Sequence, residues 1–199
     1  MIIKPETPLI SVIKYHGNQI KGGEYMKKRI YTNNKYLKPF FTEINKYTDG
    51  VHSLNSGIDI RYIEETERKL NITLPNIYKD FLQVCNGGEF FIPGTVFSEV
   101  YNPTYGEKRN GTPYLDESFK RRLPAMPDSL LIIADLNYGD AICFDLMNTD
   151  QNDAKVIQWN KENQSIEDTW DGFVEWLMDM LDEGSMLVDY DGEEKDLDF

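Results

Sequence analysis

Leu74-Pro75-Asn76-Ile77-Tyr78-Lys79-Asp80-Phe81-Leu82, followed after three intervening residues by Asn86-Gly87-Gly88, is the stretch on which the fold turns. Tyr78, Phe81, Leu82 and Cys85 stand at i, i+3, i+4 and i+7, the spacing of one apolar stripe along a helix. Pro75 suits the first helical position, where its missing N–H would have had no partner. The expected helix spans 75–85, and the glycines are expected to end it by supplying the left-handed conformation of a C-cap.

Upstream, a helix is expected over 60–70. Asp59 is a good N-cap, Ile58 and Ile63 have the spacing of a hydrophobic staple, and Ile60, Ile63 and Leu70 share a face with Glu67. A short helix is expected within 36–46 from Leu37, Phe40, Phe41 and Ile44, with Pro39 tolerated in a first turn. Residues 49–57 read as a loop. Downstream, 89–92 and 95–101 read as short strands rich in aromatic and β-branched residues. Residues 102–129 hold four prolines, Pro103, Pro113, Pro124 and Pro127, and the basic clusters Lys108-Arg109 and Lys120-Arg121-Arg122; a loop of this length is usually functional or mobile. Strands are then expected at 130–134, 140–146 and 155–159, joined by turns at 135–139 and 147–154 into an antiparallel meander. A last helix is expected over 170–183, with Phe173, Val174, Leu177, Met180 and Leu181 on its buried stripe and Gly184 as its stop.

The stretch from Leu74 to Leu82 with its Asn86-Gly87-Gly88 resembles the signature of the SUKH superfamily, which includes a fungal cell-wall regulator and many bacterial immunity proteins. Glu64-Glu65-Thr66-Glu67-Arg68-Lys69-Leu70 resembles that family's first helix. Ile133-Ala134-Asp135 with Tyr138-Gly139-Asp140-Ala141-Ile142-Cys143-Phe144-Asp145 resembles its central hairpin. Val156-Ile157-Gln158-Trp159 and Phe173-Val174-Glu175-Trp176-Leu177 resemble its last strand and helix. The likeness runs from about Asp59 to Leu181 and implies an α+β fold, with helices packed on a curved, mostly antiparallel sheet. It also implies a role, since bacterial members commonly neutralise a toxin encoded beside them, often a nuclease.

The chain has 199 residues, 40% of them apolar and 13% aromatic, enough for a packed core. Its formal charge of −13 repels nucleic acid and anionic membranes and attracts basic proteins. Cys85 and Cys143 lie in apolar patterns outside any C-x-x-C motif and are expected to be buried, reduced thiols; a disulfide between them stays open. No stretch approaches the ~20 apolar residues of a membrane span, and 1–25 has no signal-peptide pattern, so a cytoplasmic location is expected.

Four parts are expected. Residues 1–25 are an extension, readable as a hairpin about His16-Gly17-Asn18 or as translated sequence upstream of a natural start at Met26. Residues 26–57 are an N-terminal segment with a short helix, 58–184 the SUKH-like domain, and 185–199 an acidic tail expected to be disordered beyond Tyr190.

Five residues are candidates for partner contact. Asp135 and Asp140 flank the Asn137-Tyr138-Gly139 turn, either as an acidic grip on a basic surface or as ordinary turn chemistry. Tyr138 and Trp159 are candidate aromatic anchors, with core packing the alternative for Trp159. Glu67, a carboxylate on an apolar face, binds a partner or caps the start of the next helix. Catalytic and metal chemistry have little footing. The two histidines, His16 and His52, fall outside the matched stretch, which rules out a His-dependent triad inside it. Zinc spacing and phosphate-loop motifs are absent. Asn148, Asp150 and Asn152 loosely resemble a calcium loop, but Asp153 stands where glycine is needed and Trp159 where glutamate is needed. No cofactor or metal is expected.

Three functions compete on these grounds. The first is an immunity protein that neutralises a cognate toxin by non-catalytic binding to its basic surface. The second is a scaffold or regulatory module for an endogenous partner. The third is a hydrolase built on paired carboxylates.

Overall fold

The computed structural model describes residues 29–103 and 112–196, so the readings placed on 1–25 lie outside the described residues. Among the described residues the order is α1 (Lys38–Ile44), β1 (His52–Leu54), α2 (Ile60–Leu70), α3 (Asn76–Val84), β2 (Gly88–Phe90), β3 (Thr95–Phe97), β4 (Leu130–Asp135), β5 (Ala141–Thr149), β6 (Ala154–Asn160), β7 (Ser165–Trp170) and α4 (Phe173–Leu187). A 3-10 turn, Leu115–Glu117, lies between β3 and β4. The seven strands form one antiparallel sheet in which each neighbours the next in sequence. The register shifts within β4–β5, β5–β6 and β6–β7, and such irregularities twist and bend a sheet.

The main core lies on the helix side of the sheet. Phe40 and Phe41 of α1, Tyr78 and Phe81 of α3, and Phe173 and Trp176 of α4 meet Phe90, Phe97 and Phe144 from the strands, all buried. A smaller core on the opposite face gathers Leu130, Ile132, Ala141, Cys143, Ile157 and Trp159 under Met126 and Leu123. Both cysteines are buried thiols outside any disulfide, one in each core.

Helix α2 has the expected limits because Asp59 accepts the Arg61 N–H at its start and Asn71 adopts a left-handed φ of 53° at its end. Helix α3 begins one residue later than expected. Pro75 precedes it and offers no side-chain cap, and the N–H groups of Asn76 and Ile77 donate to the carbonyls of Gln151 (3.1 Å) and Asn152 (3.0 Å) in the β5–β6 turn. The expected glycine C-cap is absent. Cys85 is extended at the helix end (φ −142°), and Gly88 serves the sheet instead, with φ +119° and an ideal Cβ that would stand 2.3 Å from the Ser53 carbonyl oxygen.

Three further expectations are corrected. The loop expected at 49–57 contains the three-residue strand β1. The last helix does not start at Trp170 but at Phe173; Trp170 ends the edge strand β7, whose burial pattern is almost wholly exposed and so carries no apolar alternation to read. Gly184 does not stop α4. The Phe91 ring lies where its Cβ would be, 2.3 Å away at Cδ2, so the glycine admits a close neighbour and the helix continues to Leu187.

The tail is also held, as far as it is described. The Asp189 N–H donates to the Glu193 carbonyl (2.9 Å) and the Lys195 N–H to the Leu187 carbonyl (2.8 Å), closing a small hairpin. The Tyr190 ring meets Tyr47 edge-on at 5.0 Å, its carbonyl accepts from the Thr48 N–H (2.7 Å), and its hydroxyl donates to Glu43. Polar composition had suggested disorder; the aromatic anchor at Tyr190 overrides it. No helix among the described residues is long and apolar enough to cross a membrane.

Candidate functional site

The β4–β5 turn brings an exposed aromatic ring to a strongly acidic surface. Asp140 is buried beneath it and accepts from the Lys161 N–H (3.0 Å) and from Gln158 Nε2 (3.0 Å). Gln158 Nε2 also lies 3.3 Å from the Tyr138 hydroxyl oxygen, and the Tyr138 ring is 67% exposed. Asp140 therefore braces the turn, and Tyr138 is what the turn presents.

Around Tyr138 the surface is built from β7 and α4. Gln158 pairs with Asp168 across β6–β7, which places Asp168 on the same, helix-side face of the sheet. Asp179 of α4 accepts from Trp170 Nε1 (2.9 Å) and so ties the helix to β7. The Glu183 carboxyl is pushed up by burial and then by the charges of Asp179 and Asp168. The Tyr138 hydroxyl is pushed up by burial, with Asp140, Glu183 and Glu167 acting in the same direction. These groups feel one another although they come from three separate elements. Among the described residues, no ion pair neutralises Glu167, Asp168, Asp179 or Glu183.

The other sequence candidates lie elsewhere. Asp135 is on the opposite sheet face, paired with Arg121 at 2.6 Å. The structure thus separates Asp135 from Asp140 and does not form a single acidic grip from the two. Glu67 accepts from the Leu74 N–H (2.7 Å), just before α3, and from Lys79 Nζ (3.3 Å). Trp159 is 5% exposed, in the smaller core. Sequence reasoning missed Glu167, Asp168, Asp179 and Glu183; Asp179 and Glu183 share a face of α4 at i and i+4, but no local spacing joins them to β7 or to Tyr138.

The turn that loosely resembled a calcium loop is a double helix cap. Asp150 Oδ1 accepts from the N–H groups of Asn152 (2.6 Å) and Asp153 (2.7 Å), and these backbone bonds hold its carboxyl below the usual range. The folded turn aims its carbonyls at the start of α3, while Asp153 Oδ1 accepts from the Phe173 N–H (3.0 Å) at the start of α4. Burial pushes the Asp153 carboxyl up, against the lowering effect of its backbone donors. Asp153→Ala is expected to lose about 1–2 kcal/mol at pH 7 in urea unfolding, the cost of an N-cap. The folded state binds the Asp153 proton more tightly than the unfolded chain, so folding takes up a proton as pH falls through that range. Wild type should therefore gain on Asp153→Asn as the solution is acidified, and a gap independent of pH would contradict this.

A cavity of about 180 Å³ lies between α1, α4 and the C-terminal hairpin, with Glu43, Asp182, Asp189 and Lys195 on its wall. Lys46 first, and then Tyr190, hold the Glu43 carboxyl below its usual range, the opposite of what a general acid needs. Among the described residues no group of three or more His, Cys, Asp or Glu side chains is arranged to hold a metal ion.

An open antiparallel sheet with helices on one face, closed by α4 and bordered by an acidic surface, defines an α+β module of SUKH type. The description of the SMI1 / KNR4 family (SUKH-1) matches residues 57–179, more than half of the chain. The protein belongs to that family. It is also similar to a protein from Pseudomonas syringae pv. tomato known from a crystal structure, with a TM-score of 0.51 and 19% identity over 71% of this chain and 95% of that one. That likeness speaks for the fold alone. No curated protein sequence matches the chain.

Proposed function

We propose that the protein is an immunity protein, which binds a cognate toxin in the cytoplasm of the producing cell and blocks it without chemistry. The observation that carries this reading is the carboxylate surface of Glu167, Asp168, Asp179 and Glu183, which makes no ion pair among the described residues, around the exposed Tyr138 ring. A nuclease toxin needs a basic groove for its substrate, and an acidic surface with an aromatic centre is complementary to such a groove. Membership of the SMI1 / KNR4 family supports the same reading, because the resemblance to the SUKH superfamily implies such a role for a bacterial member.

The test is calorimetry with the C-terminal domain of the toxin-like protein encoded next to this gene, at low and high salt. Tight binding that weakens with salt is expected. The triple variant Asp168→Asn/Asp179→Asn/Glu183→Gln should slow association about tenfold or more, since steering charges act on the on-rate. Absence of binding at both salt concentrations would overturn the proposal. It would bring forward the second reading, a regulatory module for an endogenous partner, whose partner persists in strains that lack any toxin.

A further inference from the structure

The smaller core has an unusual cover. Leu130 and Ile132 of β4, Ala141 and Cys143 of β5, and Ile157 and Trp159 of β6 turn away from the helices. They are shielded by Met126 and Leu123, from the irregular segment 120–128. Two adjacent arginines fasten that segment. Arg121 donates to Asp135 (2.6 Å) and to Ser98 Oγ (3.3 Å). Arg122 donates to the carbonyls of Leu130 (2.8 Å), Met126 (3.1 Å) and Pro127.

The fit under this cover is imperfect. Arg121 Nε and Trp159 Nε1 are buried polar atoms with no hydrogen-bond partner among the described residues. A buried donor that makes no bond forfeits what it had in water. Ala125 adds a left-handed φ of 54°, unfavourable for a residue with a Cβ. The segment thus combines an unmet donor at Arg121, a strained Ala125 and few apolar plugs, with a second unmet donor on Trp159 beneath it; the helix-side core also leaves Tyr78 Oη unmet but holds it in a dense set of aromatic contacts. Local opening is drawn from segments with few buried apolar contacts.

We propose that residues 120–128 form a strap that lifts from the sheet while the helix-side core, which Phe119 joins just before it, stays folded. Opening bares an apolar surface centred on Trp159, frees its indole N–H for an acceptor and breaks the Arg121–Asp135 pair. Asp135 is then an anchor of the strap and not part of the acidic surface around Tyr138. The inference does not depend on the identity of any partner.

The chain carries its own reporters. Cys143 lies under the strap, with Arg121 and Arg122 close enough to act on its thiol, and Cys85 lies in the helix-side core. The reduced full-length protein is labelled with an aromatic disulfide reagent under native conditions, and each thiol is followed by peptide mass mapping. Cys143 should react about 100-fold faster than Cys85, since sub-global opening is more frequent than unfolding. Its rate should depend only weakly on urea, because little surface is exposed. Arg121→Ala should raise the Cys143 rate about tenfold and leave Cys85 unchanged, as expected for loss of a charge-assisted bond. The milder Asp135→Asn should move it in the same direction. Equal rates with equal urea slopes, or a faster Cys85, would overturn the proposal.

Discussion

Phe81→Ala is expected to lower the unfolding free energy by about 3–5 kcal/mol, the range for emptying a large aromatic site. The Phe81 ring lies where four elements meet. It stacks on Phe41 of α1 at 5.7 Å and on Phe97 of β3 at 5.4 Å, stands edge-on to Phe173 of α4 at 5.2 Å, and lies parallel to Tyr78 of its own helix at 6.2 Å. All five side chains are essentially without solvent exposure, so none can swing in from the surface to fill the gap. Urea unfolding followed by tryptophan fluorescence gives the loss directly, with an unchanged slope if the two end states are unaltered. A loss below about 1.5 kcal/mol would mean that the helices close over the cavity, since the cost depends on how well a site collapses.

Gly88→Ala is expected to cost about 3 kcal/mol or more, through backbone strain and a clash acting together. Gly88 pairs with Leu54 of β1 on one side and Phe97 of β3 on the other, so no free edge is available for it to move into. An added Cβ would stand 2.3 Å from the Ser53 carbonyl oxygen at a φ of +119°. Gly50 supplies the control. It has φ +101° and nothing within 4 Å of an ideal Cβ, so Gly50→Ala carries the strain without the clash and should cost about 1–2 kcal/mol. Thermal unfolding of the pair separates the two contributions. Equal losses would show that β1 yields to the methyl group and that the clash is relieved.

Much of the fold was legible because its signals are local. Asp59 with the stripe of Ile60, Ile63 and Leu70 marks α2, and the alternation of Ile142, Phe144 and Leu146 marks β5; a cap or a period suffices in each case. The failures are equally physical. Residues Ser165–Thr169 of β7 are all exposed, so the strand has no buried face to imprint an alternation on its sequence. Gly184 reads as a helix stop, yet its role is to admit the Phe91 ring, which comes from a residue more than ninety positions away. Pro75 was readable as a helix start and 147–154 as a turn, but the turn's service to two helices needs the third dimension.

The site was less legible than the fold. Tyr138 stood out as an aromatic residue in a tight turn, and it is exposed. Asp135 and Asp140 lie five residues apart about the same turn, but emerge on opposite faces of the sheet with different partners. The carboxylates that share a field with Tyr138 come from β7 and α4, and only the antiparallel return of β6 onto β7 brings Asp168 next to Gln158.

The position of β7 at the end of the sheet bears on how the protein behaves in concentrated solution. An open sheet ends in unpaired backbone groups that can recruit the same edge of another copy, and natural proteins blunt such edges with charge. Here Glu167 and Asp168 sit on that outermost strand, and two copies approaching edge to edge bring these carboxylates face to face. The charge on the edge works together with the net charge of the whole molecule. Near the pI of about 4.6 that net charge vanishes, so the long-range barrier to fibrillar or amorphous association fails there and only the local one at the edge is left.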